Sequence, residues 1–159
     1  MLTTRTRTPA LALLLVLTAV TCMATPPSAA LAREYVGSEV CKECHEEEYG
    51  KFMKYAKKVH SYDHIVRMKK NLSDAEFQEC LGCHTTGYGQ PSGFVSAEAT
   101  PLLRNLGCET CHGPGGDHLQ SQEAKDINGK LDSTICEKCH IEARSKAFNF
   151  KPMTHGGAH

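Results

Sequence analysis

Apolar positions are spread unevenly along this chain of 159 residues. One nearly unbroken apolar block, Leu11 to Val20, stands near the start. Beyond it, hydrophobic residues are scattered among long polar runs such as "KECHEEEYGK", "RMKKNLSDAEFQE" and "SQEAKDINGK". Nowhere does the pattern sustain the period-two alternation of a half-buried strand. The segment from Glu39 to about Lys70 is helical in character. Within it Phe52, Tyr55, Val59 and Tyr62 recur at spacings of three and four, one face of a helix. Ser73-Asp74-Ala75-Glu76 has the form of a capping box opening a helix into Cys80. Thr85 to Thr100 reads as loop or hairpin, with glycines and a proline at turn-like intervals. A short helix is expected over Pro101 to Leu106 and a loop over Gly113 to Gly116. Further helix is expected over Asp117 to Lys125, and then a Ser133-capped helix carrying Cys136 to about Arg144. The tail, "FNFKPMTHGGAH", reads as irregular.

Such a chain is long enough for one domain but looks short of core. Something other than side chains must supply apolar surface, and the bare polypeptide is expected to be largely unfolded.

The apolar block itself belongs to a secretory leader. Arg5 and Arg7 form a positive n-region, and the block is too short to span a bilayer comfortably. Ala30-Leu31-Ala32 offers a cleavage site. The division expected is 1–32 signal peptide and 33–159 a single mature domain, exported to the periplasm, with no membrane anchor. Cys22 falls inside the leader, and its setting is a poor lipoprotein box. The other eight of nine cysteines form four pairs, each followed by His: "CKECH" at 41–45, "CLGCH" at 80–84, "CETCH" at 108–112 and "CEKCH" at 136–140.

Cys-x-x-Cys-His is the attachment motif of c-type haem. Two thiols make thioethers to the porphyrin, and the adjacent imidazole reaches the iron. Export suits this chemistry, because covalent haem attachment follows translocation. Two zinc ribbons would need four Cys pairs as well, but would leave four identically placed histidines as coincidence. A disulfide framework in a secreted domain would also ignore them. Four haems are therefore expected, held by Cys41, Cys44, Cys80, Cys83, Cys108, Cys111, Cys136 and Cys139, with His45, His84, His112 and His140 on the irons. The intervals between motifs share no sequence, so no solenoid repeat is present.

Five of the nine histidines remain: His60, His64, His118, His155 and His159. Iron takes six ligands unless one position is kept open. Outside the leader the methionines are Met53, Met68 and Met153, in settings that suit packing. The chain is thus biased towards bis-histidine haems, which have lower potentials than His/Met ones. His60 and His118 are the strongest distal candidates. His64 lies one turn beyond His60, and the tail offers His155 or His159.

Charge narrows the functional class. Lys plus Arg and Asp plus Glu both number 18, and loss of Arg5 and Arg7 with the leader leaves an acidic excess of two. Haem propionates would deepen it. A basic face for nucleic acid is lacking.

The stretches "CLGCHTTGYGQPSGF" (80–94) and "GCETCHGPGGDH" (107–118) resemble the tetrahaem cytochromes of the cytochrome c-554 family, as does the segment around Tyr55 to His60. The resemblance implies a mainly α fold, with short helices and long loops wrapped around four closely packed haems in alternating parallel and near-perpendicular pairs. It also implies distal ligands. His118 would cross to the haem of His45, His60 to that of His112, and a tail histidine, with His155 favoured, to that of His140. The haem of His84 would be open, unless His64 or the second tail histidine closes it.

Three functions fit these expectations. The first is an electron carrier between redox proteins, taking electrons from quinol-oxidising or other oxidoreductase donors and passing them to terminal reductases. It would be a monomer or small oligomer with no catalytic residues of its own. The second is a reductase of nitric oxide or nitrite at an open second haem, with Tyr88, Glu79 or His64 as proton donor. The third is a protomer of an extracellular haem filament.

Overall fold

The computed structural model describes residues 33–144. The expected leader over residues 1–32, and Met153, His155 and His159, lie outside these residues. The fold is mainly α, and no strand occurs among the described residues. Seven short helices, α1 (Ser38–Cys41), α2 (Glu46–Tyr55), α3 (Ser61–Val66), α4 (Asp74–His84), α5 (Cys108–His112), α6 (Gly116–Ser121) and α7 (Ser133–Glu137), alternate with four 3-10 turns and long loops. No helix among the described residues is long and apolar enough to cross a membrane.

The expected helix from Glu39 to Lys70 is divided into three. The first motif occupies a turn between α1 and α2, and His45 becomes the residue preceding α2. Acidic Glu46, Glu47 and Glu48 then line the first turn of α2, where the helix dipole favours them. The helix stops at Ala56, whose ψ of 113° is extended. That break removes Tyr55 from the buried face. Phe52 and Val59 are buried with Ala56, while Tyr55 is 60% exposed.

Elsewhere the local signals perform as expected, shift by a residue or run short. The Ser73 hydroxyl accepts from the Glu76 amide at 3.3 Å, and the Glu76 carboxylate accepts from the Ser73 amide at 2.8 Å, a complete capping box for α4. The α7 cap is Asp132 rather than Ser133. Its carboxylate takes the Thr134 amide at 2.9 Å, and the helix ends at Glu137 instead of continuing to Arg144. Pro101 to Leu106 shortens to a 3-10 turn over Pro101–Leu103, and α6 starts one residue inside the expected glycine loop, at Gly116.

The main core joins α3 and α4 through Ile65, Phe77 and Leu81, and adds Phe94 and Leu103 from the long loop. Tyr35, Tyr62, Leu72 and Tyr88 pack against it. The loop from Thr85 to Gly107 is held by backbone bonds rather than a hairpin ladder. Thr86 donates its amide to the Leu103 carbonyl at 2.9 Å and accepts the Phe94 amide at 3.0 Å. Gly87, at φ +71°, and Gly93 meet where this loop folds back. A methyl on Gly93 would overlap the Gly87 carbonyl, so both positions require glycine. Among the described residues eight apolar ones are buried, and as many large ones stay exposed, among them Met53, Val95, Leu102, Leu119 and Ile141. The polypeptide alone therefore covers little of its own apolar surface.

Candidate functional site

Each Cys-x-x-Cys-His motif ends a helical turn. The second closes α4, the third is α5, and the first and fourth begin at the last turns of α1 and α7. Cys41 and Cys136 are the acceptors of the backbone bonds that bring His45 and His140 round, both at 2.9 Å. The turn thus places the imidazole one helical step past the first sulfur. The eight cysteines of the motifs are free thiols, half-buried apart from the exposed Cys44.

The thiols identify neighbouring motifs. Cys41 and Cys108 share a hydrogen bond that pushes the Cys41 thiol up and pulls the Cys108 thiol down. Burial raises Cys139, and a hydrogen bond with Cys83 adds to the effect. The Cys83 sulfur also lies 4.0 Å from the Lys138 carbonyl. Burial raises Cys111, with a smaller contribution from nearby Cys136. In space the motifs therefore run first, third, fourth, second, although sequence order differs.

The histidines are oriented by backbone carbonyls. Nδ1 of His84 lies 2.9 Å from the Ser61 carbonyl, Nδ1 of His112 lies 2.7 Å from that of Asn128, and Nδ1 of His118 lies 3.0 Å from that of Glu123. A carbonyl can only accept, so Nδ1 carries the proton and Nε2 keeps its lone pair for a metal. The His45 and His118 rings lie with centres 6.3 Å apart and planes nearly parallel, 25° apart. Two metal–nitrogen bonds of about 2.0–2.1 Å, plus roughly 1.1 Å from each ring centre to its nitrogen, give a little over 6 Å. The centre-to-centre distance alone matches that of two imidazoles on one metal ion. His60 is exposed, with Nδ1 3.8 Å from Asp63, and His64 is exposed on α3. Beside the third motif lies a cleft of about 430 Å³, lined in part by Tyr35, Thr110, Cys111, His112, Ile127 and Ile135. Free paired thiols, oriented Nε2 donors and such a cleft fit a covalently attached haem. Of the residues considered as proton donors, Tyr88 packs on the core, and Glu79 is exposed.

The third motif is the hub of this arrangement. The Thr86 hydroxyl donates to the Asn105 carbonyl at 2.7 Å and accepts the Gly107 amide at 2.9 Å. The Ser61 hydroxyl accepts the Leu106 amide at 2.9 Å, and the Ser38 hydroxyl accepts the Cys108 amide at 2.9 Å. Glu109, inside the motif, is 2% exposed. Its carboxylate accepts Val36 at 2.9 Å, Gly37 at 2.7 Å and Gly115 at 2.7 Å, all backbone amides. Sequence reasoning passed over Glu109, Thr86, Ser61 and Ser38, because their partners lie far away along the chain. The one local hint for Glu109 is the glycine loop that follows it, whose amides have no helix to satisfy them.

Residues 40–113 match the family described as cytochrome c554 and c-prime. The chain is also similar to cytochrome c-554 of Nitrosomonas europaea, 34% identical over 110 residues. That alignment takes in 60% of this chain and 47% of the relative, so the chain spans about half the length of the protein it matches. No solved structure matches it.

Proposed function

Residues 40–113 make this chain a member of the cytochrome c-554 family, and from that premise we propose that it is an exported four-haem electron carrier. Membership brings covalent c-type haem and electron transfer. The finer reading rests on this chain's own residues. Cys41, Cys44, Cys80, Cys83, Cys108, Cys111, Cys136 and Cys139 attach four haems, and His45, His84, His112 and His140 bind the irons. His118 is the sixth ligand of the first haem, His60 of the third and His155 of the fourth. The second keeps an open position or takes His64. Residues 1–32 direct export to the periplasm, where the holoprotein passes electrons between redox proteins.

The haems supply reversible one-electron chemistry, and the polypeptide supplies distance and environment. The adjacency of Cys41 with Cys108, Cys111 with Cys136, and Cys139 with Cys83 supports a continuous path from first to third to fourth to second. Such a path has two ends, one for a donor protein and one for an acceptor. Backbone carbonyls on Nδ1 hold the imidazoles in one tautomer, so ligation survives each change of iron charge without reorientation.

The single observation that carries this reading is the 6.3 Å between the His45 and His118 rings. It is tested by electron paramagnetic resonance of the oxidised His118→Ala holoprotein. One low-spin haem is expected to become high-spin, with haem content unchanged. A spectrum identical to the parent's would remove His118 from the iron. Nitric oxide added to the reduced parent protein decides the second haem. A spectral response marks an open iron and reopens the reductase reading, whereas silence removes it.

A further inference from the structure

Glu109 has no part in attaching haem, yet it is among the most buried side chains of the described residues. Its four hydrogen bonds, from Val36 at 2.9 and 3.2 Å, Gly37 at 2.7 Å and Gly115 at 2.7 Å, all come from neutral amides. A glutamine would meet some of these N–H groups with its own NH₂, donor against donor, so the site selects an acceptor-only carboxylate. Burying a charge among neutral partners is costly, and a fold keeps such a charge where something else benefits from it.

The carboxylate's surroundings indicate what benefits. It lies within electrostatic reach of both Cys41 and Cys108, the first sulfurs of the first and third motifs. It also fastens the strap that leads into the first motif (Val36, Gly37) and the loop that leads to His118 (Gly115). A fixed negative charge in a poorly solvated site stabilises the more positive, ferric form of a neighbouring haem and lowers its potential. Glu137 occupies the same place in the fourth motif but is exposed, where solvent screens it. Lys58, a positive charge, lies within reach of Cys111 of the third motif and His140 of the fourth, so it offsets part of the carboxylate's effect at the third haem and raises the fourth.

We propose that Glu109 is a potential-setting and positioning residue that holds the first and third haems below the second and fourth. The electron held by a partly reduced molecule then rests at the second and fourth haems. The proposal rests on the four-haem reading given above.

The test is a spectroelectrochemical titration of the holoprotein and of the Glu109→Gln, Glu109→Asp and Glu137→Gln variants, with low-spin haems counted by electron paramagnetic resonance. In Glu109→Gln the low-potential part of the curve is expected to favour reduction by about tenfold, which is 59 mV for a one-electron couple. Glu109→Asp, which keeps the charge, should return towards the parent, and Glu137→Gln should overlay it. A Glu109→Gln curve equal to the parent's, with the same low-spin count, overturns the proposal and leaves the four-haem reading standing. A parent count incompatible with bis-histidine haems overturns that reading instead. Should Glu109→Gln fail to accumulate, the parent protein decides. Haem methyl resonances assigned through contacts to each cysteine report the order of reduction by nuclear magnetic resonance. The first and third haems must be reduced last, and reduction of either one first contradicts the proposal.

Discussion

The third and fourth motifs, Cys-Glu-Thr-Cys-His and Cys-Glu-Lys-Cys-His, differ at one position and fold into the same helical turn. Their surroundings have little in common. Around the third, Ser38, Ser61, Thr86 and Glu109 tie four segments together through buried polar bonds. Around the fourth, α7 has an exposed Asp132 cap, Glu137 faces solvent, and the neighbouring second motif is met through Cys83 and Cys139. The pentapeptide fixes the chemistry of attachment. What the glutamate inside it does is decided by whether distant amides arrive to meet it. The third motif is thus positioned by polar bonds from distant segments of the polypeptide, whereas the fourth has only its local cap.

The largest expected effect comes from Glu109→Ala. It strands three backbone amides, those of Gly37 and Gly115 buried and that of Val36 part-buried, at roughly 1–3 kcal/mol each, a substantial part of the stability of a small domain. The yield of four-haem protein should fall steeply, or its guanidinium midpoint should drop, whereas Glu137→Ala should match the parent in both. Equal losses from the two glutamates would erase the distinction between the motifs. Next comes Thr86→Val, which keeps the volume but removes the hydroxyl serving Asn105 and Gly107. A cost of about 1–3 kcal/mol is expected, read as an earlier unfolding midpoint. A neutral result would show that the hub does not depend on this threonine.

The smallest effect belongs to the fourth motif. Hydrogen bonds from Thr134 hold the Asp132 carboxyl below its ordinary value of 3.8. A lowered folded value means this support is fully present above 3.8 and is lost as pH falls below it. Asp132→Asn should therefore flatten a slight acid-side loss of stability, measured as the unfolding midpoint against pH. An unchanged acid-side slope would show that the cap contributes nothing there.

The family was legible in the sequence, because Cys-x-x-Cys-His and the glycine-rich stretches around it are local codes. So was the capping box at Ser73 and Glu76, whose partners sit three residues apart. The loop glycines in "TTGYGQPSGF" announced a turn, although not that Gly87 and Gly93 would touch. The helix from Glu39 to Lys70 was overextended. Periodicity in Phe52, Tyr55, Val59 and Tyr62 carries no information about the break at Ala56, where the chain turns to build a second small core. The spatial order of the motifs and the clamp on Glu109 were not legible at all. Both join residues far apart in sequence, and nothing local in Val36, Gly37 or Gly115 says which acceptor they will find.

The most direct test of the whole account is the intact mass of the protein after expression with its leader in a host that matures c-type cytochromes. The account predicts a chain beginning near Arg33 and carrying the mass of four haems. The mass of the bare chain, or of that chain less the hydrogens lost to disulfides, would contradict it.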